Sequence, residues 1–168
     1  HNLCIRSEDF SNTGNWPNRD GTVVRTGTLT LSDDSAAAAE NIQQQFTTVS
    51  GASYCATLWV AKDADQTRFP DFTLYDGTTE LAVMVNTQTG ATASRSGTGA
   101  SGRNTISVVS DGVNWKIELT IAAVASTTTS IIIAPAQGTV LGTSSAAATG
   151  SITMAKAQFR RAPADSTY

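Results

Sequence analysis

Residues 54–61, Tyr-Cys-Ala-Thr-Leu-Trp-Val-Ala, alternate without a break. Tyr54, Ala56, Leu58 and Val60 fall on one side, and Cys55, Thr57, Trp59 and Ala61 on the other. Side chains of a strand point to opposite faces with period two, so this is a strand with an apolar inner face. Its other face sets one large aromatic, Trp59, among small groups. An indole placed there either stacks against a flat ligand or packs beneath a loop.

The same period recurs along the chain. In 42–49, Ile42, Gln44, Phe46 and Thr48 share one face, and Gln43, Gln45 and Thr47 the other. The short Ser50-Gly51 turn then predicts an antiparallel hairpin between 42–49 and 54–61. In 68–75, Phe72 and Leu74 are core positions, while Phe69, Asp71, Thr73 and Tyr75 share the opposite face. Pro70 limits the start of that strand, because it cannot donate to a ladder. Asp76-Gly77 turns the chain into 80–86. The cleanest alternation is 115–121, with Trp115, Ile117, Leu119 and Ile121 inward and Lys116, Glu118 and Thr120 outward. Shorter strands are expected over 2–5, 22–31 (one or two), 105–110, 130–134 and 152–159. Residues 33–39, 63–66 and 142–150 read as loops. Residues 91–104, rich in Gly, Ser and Ala and without a period, read as a mobile loop.

That makes about nine to eleven short strands, spaced roughly 8–15 residues apart, with almost no helix. The expected fold is all-β: an antiparallel β-sandwich of jelly-roll type, forming one domain over 1–168. Composition agrees, being rich in Thr, Ser, Ala and Gly, with 13 Gly. The net charge is -3, and the 11 basic residues are spread out, with Arg160-Arg161 the one adjacent pair. Nucleic acid is therefore not the expected partner, because phosphate binding needs clustered Lys and Arg. No apolar run approaches the ~20 residues of a membrane span, and no signal-peptide pattern stands at the start. Cys4 and Cys55 are too few for a disulfide framework. One bridge between them and two free thiols serving as small apolar groups are both open, the second being the commoner use.

The ends of the chain carry a resemblance. Asn2-Leu3-Cys4-Ile5-Arg6-Ser7-Glu8-Asp9-Phe10-Ser11-Asn12, with Trp16 shortly after, resembles the "NLL-x-x-SEDFSN…W" opening of β-sandwich domains common in bacteriophage tail and other virion proteins. Ala157-Gln158-Phe159-Arg160 and then Ser166-Thr167-Tyr168 look like that family's "GAQLE-x-G…TSY" close. Between them, 54–62 is similar to its "YTxSVWVKA" strand, 86–90 to its "N-L-x-T-G" turn and 111–118 to its "DGWYRV" strand. The departures are Lys156 in place of Gly, Arg160 in place of Glu, and an extra residue before Lys62. The resemblance implies a jelly roll similar to carbohydrate-binding modules, found in tail fibres and spikes. It therefore implies an extracellular or virion-associated setting.

Catalysis finds little support in the residues. The single histidine, His1, offers no base for a Ser-His-Asp or Cys-His arrangement. No Cys/His cluster has zinc-ligand spacing. The glycines of 97–102 precede no helix that could cradle a phosphate. Glu118 with Asp71 or Glu80 is the conceivable glycosidase pair, but no local acidic cluster marks a strand.

A binding face fits better. Sugars are held by aromatic rings against their C–H faces and by planar polar groups on their hydroxyls. Gln43 and Gln45, Trp59 with Thr57, Tyr75 with Thr73, and Lys116 with Glu118 would form such a surface if their strands are neighbours, with Arg68 and Asp71 at its rim. Each has a plainer reading: Trp59 covered by the Gly/Ser loop, Trp16 a plug over one end of the sandwich, Trp115 core, and Lys116 and Glu118 a solvated pair. Jelly-roll modules often hold a structural calcium where first and last strands meet. Glu8 and Asp9 are the candidates here, although Lys156 and Arg160 stand where the C-terminal end would supply an acid. The expected function is non-catalytic binding of a polysaccharide or host-surface glycan, with no required cofactor. The alternative is a structural tail-fibre or capsid-decoration domain contacting other subunits.

Overall fold

The computed structural model describes residues 2–4, 7–64, 67–96 and 104–162. Strands β1 (Asn18–Asp20), β4 (Asn41–Thr47), β11 (Thr128–Gly138), β6 (Phe69–Tyr75), β7 (Glu80–Val85) and β8 (Thr92–Ser96) form the first sheet in that order. Strands β2 (Val24–Thr26), β3 (Thr30–Asp33), β12 (Gly150–Arg161), β5 (Tyr54–Ala61), β10 (Asn114–Ile121) and β9 (Thr105–Asp111) form the second. All pairs are antiparallel. Within the edge strands, β4-β11-β6-β7 faces β3-β12-β5-β10, the strand order of a jelly roll.

The inner faces meet as the alternation requires. Tyr54, Ala56, Leu58 and Val60 from the second sheet lie in one cluster with Ile42, Phe46, Phe72, Leu74, Ile131 and Ile133 from the first. Phe159 stacks between Phe46, at a ring distance of 4.2 Å, and Tyr54, at 5.3 Å, so three aromatics tie the sheets together. Trp16 is fully buried against Phe10 at 4.9 Å, as the plug reading expects. Trp115 packs on the flank of the core, half-buried, and donates from Nε1 to Thr87 O at 2.8 Å.

Three expectations are corrected. β4 and β5 do not form a hairpin: β4 pairs with β1 and β11, and β5 with β10 and β12. The Ser50-Gly51 connection crosses between the sheets. Gly51 N donates to Val124 O, and Val124 N to Ala52 O, so the turn is held by the β10–β11 connection rather than by a partner strand. The second correction concerns 91–104, where Thr92–Ser96 is strand β8; the glycines of 97–102 lie outside the described residues. In the third, Asn2, Leu3 and Cys4 form no strand, although Leu3 N reaches Phe159 O at 2.7 Å; Ile5 lies outside the described residues. Both cysteines are free thiols.

Candidate functional site

Cross-strand register decides which side chains share a face, because directly opposed residues point the same way. On the outer face of the first sheet, Gln45 of β4 opposes Ser130 of β11, Ser130 opposes Tyr75 of β6, and Tyr75 opposes Glu80 of β7. An amide, a hydroxyl, a phenol and a carboxylate thus stand in one line across four strands, a span of about 14 Å. The next line is Gln43, Ile132, Thr73 and Ala82; the one beyond it holds Ala134, Asp71, Met84 and Ala93. Tyr75 is half-buried, with its hydroxyl donating to Gly77 O at 2.9 Å, and Gln45 is exposed.

Behind that line sits a charged pair. The β7–β8 register shifts between Ala82 and Val83, so Arg95 is an extra residue without a direct partner on β7. A bulge of this kind re-aims a side chain. Arg95 reaches back across β7, where Ala82 leaves room, and its Nε lies 2.6 Å from Asp71 Oδ2. Its Nη2 lies 3.3 Å from Glu80 Oε1. Thr73 Oγ1 donates to the other Asp71 oxygen at 2.8 Å. Asp71 is only 2% exposed although it points outward. Burial alone would lower the Arg95 pKa; the bond and charge of Asp71, with the charge of Glu80, outweigh it and raise the value. Sequence reading missed Arg95, because small neighbours gave its stretch no period.

The remaining candidates stand elsewhere. Trp59, Lys116 and Glu118 lie on the outer face of the second sheet, on the opposite side of the molecule from Gln43, Gln45, Asp71 and Tyr75. The expected single surface is therefore split in two, because β4 and β5 belong to different sheets. Trp59 is 8% exposed. Among the described residues, Lys156 lies over it, with Nζ 4.2 Å from the ring centroid, and Asp111 accepts from Nε1 at 2.8 Å; most of the Gly/Ser loop expected to cover it lies outside the described residues. Lys116 pairs with Glu118 at 3.3 Å, and Arg160 approaches the same carboxylate at 3.9 Å. Such solvated pairs contribute little. Arg68 is no rim residue: it is 4% exposed, with Nη2 2.7 Å from Asp63 Oδ2.

The imagined glycosidase pair is likewise separated. Glu118 is on one outer face, Asp71 and Glu80 are on the other, and those two are already tied to Arg95. Among the described residues, no three or more His, Cys, Asp or Glu side chains gather as a metal would need. Glu8 is exposed, and Asp9 Oδ1 accepts from Ser11 N at 3.1 Å and from Ser11 Oγ at 2.6 Å. The nearby Phe10 carbonyl accepts from Arg25 Nε at 3.0 Å. That guanidinium also donates to Trp16 O at 2.8 Å, Val23 O at 3.1 Å and Asn18 Oδ1 at 2.9 Å. The Arg25 guanidinium thus takes up the main-chain oxygens of Phe10, Trp16 and Val23 next to Glu8 and Asp9.

No family model matches the chain, and no curated protein matches it. Similar solved structures include the module TmCBM61 in complex with β-1,4-galactotriose, at 12% identity and a TM-score of 0.46, covering 96% of this chain and 99% of that one. They include the C-terminal domain of EclA, a sugar-binding protein, at 12% identity and a TM-score of 0.40, covering 84% of each chain. The mannan-recognising carbohydrate-binding module TmCBM27 matches at 7% identity and a TM-score of 0.38, covering 96% of each chain.

Proposed function

We propose that this chain is a non-catalytic carbohydrate-binding module that holds a polysaccharide on the outer face of the first sheet. The observation that carries this is the line Gln45, Ser130, Tyr75 and Glu80, backed by Gln43, Thr73 and the Arg95–Asp71 pair. Tyr75 supplies the ring on which a sugar's C–H face packs. The amides and the carboxylate supply planar partners for hydroxyls on either side. The binding chemistry requires no cofactor. The motifs at the chain's ends support a setting outside the cell, in a virion tail part or a larger secreted protein.

Affinity gels cast with a panel of polysaccharides, and a glycan array, test the proposal. Tyr75→Ala and Gln45→Ala should each weaken retention, Tyr75→Ala by about tenfold, while Trp59→Ala on the opposite face should leave it unchanged. Equal retention of wild type, Tyr75→Ala and Gln45→Ala would remove the first-sheet face as the site. Failure to retain any glycan would remove the function.

A further inference from the structure

Among the described residues, four strands end the two sheets: β1 and β8 in the first, β2 and β9 in the second. An edge strand presents unpaired N–H and C=O groups, and β-sheet proteins guard such edges with short strands, charges, prolines or bulges. Three of these edges are guarded. β1 has three residues and carries Arg19 and Asp20; β2 has three and carries Arg25. β8 has its bulge and Arg95.

β9 has none of these devices before its last residue, Asp111. It runs seven residues, Thr-Ile-Ser-Val-Val-Ser-Asp, with a regular ladder to β10 and, among the described residues, no strand on its other side. Its first six residues include no charge, proline or glycine, and Thr, Ile and Val favour extended pairing. Ile106 and Val108 turn inward against the core. Val109 is 44% exposed, and Val113, in the turn that leaves the strand, is 79% exposed.

We infer that β9 pairs antiparallel with β9 of a second copy of this chain, joining two second sheets into one. The strand is compatible with its own reverse. A twofold axis through Val108 sets Val108 against itself, Ile106 against Ser110, Ser107 against Val109 and Thr105 against Asp111. Inward residues then meet inward ones, outward residues meet outward ones, and no like charges are opposed. One seam of this kind gives a weak, concentration-dependent dimer rather than an obligate one. The axis stands normal to the sheet, so both copies turn the outer face of their first sheet the same way. On the carbohydrate reading, which only this consequence rests on, two sites could engage one polymer and gain avidity.

Sedimentation velocity over a range of protein concentrations, without glycan, tests the pairing. Wild type should dimerise reversibly. Ser107→Lys with Val109→Lys opposes lysines twice across the axis and should weaken dimerisation by at least about tenfold. Ser107→Lys with Val109→Glu opposes unlike charges twice and should keep it. Glu118 and Lys116 of β10 stand opposite these two positions, so the second variant also suits the monomer. Both positions are exposed and outside the core, so an unchanged far-UV spectrum should report an intact fold. A wild type that stays monomeric throughout, or two variants that associate alike, would overturn the inference.

Discussion

Arg95 Nε lies 2.6 Å from Asp71 Oδ2 although β7 runs between their strands. The contact places a charge pair on a sheet face whose carboxylate is sealed from water. Among the described residues, removing the arginine leaves the Asp71 carboxylate with the Thr73 hydroxyl as its donor. Arg95→Ala should therefore cost about 2 kcal/mol, between an exposed ion pair and a fully buried one, since the arginine side chain itself is 31% exposed. Arg95→Lys should recover little, because only the guanidinium fork spans both Asp71 and Glu80. Urea unfolding measures both. A loss near zero would mean that Asp71 is solvated in the absence of Arg95.

Arg25 performs a different task with the same group. It gathers three main-chain carbonyls and the Asn18 amide oxygen, fastening the Phe10 and Trp16 segments to β2. Burial lowers its pKa from the ordinary arginine value. Arg25→Ala should cost about 3 kcal/mol, because several part-buried acceptors lose their donor together. The urea midpoint should fall at unchanged slope. Addition of calcium or a chelator should leave the wild-type midpoint where it is. A chelator-sensitive wild type would show that a metal, not the guanidinium, holds this corner.

The strand at residues 54–61 could be read to its last residue, because strict alternation leaves only one register of inside and outside. Which strand lies beside it could not be read. β4 and β5 each have an apolar face, and a Ser50-Gly51 turn serves equally for a hairpin within one sheet and for a crossing between two. That single ambiguity merged Trp59 with Gln43, Gln45 and Tyr75 on an imagined common face. Gln43, Gln45 and Tyr75 do share a face, because β11 joins their strands. Arg95 was illegible for another reason. A bulge breaks the period that would have marked β8, and nothing local announces that its side chain reaches two strands away.

Asp33 makes stability depend on pH. Its carboxylate closes the loop after β3, accepting from Ser35 N and Glu40 N, each at 3.0 Å. Burial raises its pKa above the ordinary 3.8; the two N–H bonds oppose this, and the charges of Glu40 and Asp34 add to it. A carboxyl whose folded value lies above its unfolded one favours folding most when protonated. That contribution is present below 3.8 and is lost as pH rises through the higher folded value. Asp33→Asn does not titrate there. The stability of wild type minus that of Asp33→Asn should therefore fall as pH rises through the carboxylate range. Thermal unfolding of both proteins at matched ionic strength measures the difference. A difference that rises with pH would reverse the assigned direction.

Trp59 separates stability from binding. Its indole is packed under Lys156 on one side and bonded to Asp111 through Nε1 on the other. Trp59→Ala removes the buried ring, the cation–π contact and the hydrogen bond, and should cost about 3 kcal/mol. Trp59→Phe keeps a ring for Lys156 but has no donor for Asp111, an exposed residue that water can satisfy, so it should cost only about 1 kcal/mol. Neither variant touches the line from Gln45 to Glu80, which lies on the far side of the core. Both should therefore bind polysaccharide as wild type does, at any temperature where they remain folded. Denaturant unfolding and affinity gels run on the same preparations read the two effects separately. A folded Trp59→Ala protein that loses glycan retention, with Tyr75→Ala unaffected, would move the binding face to the second sheet, where Lys156 would have to swing off the indole to admit a sugar.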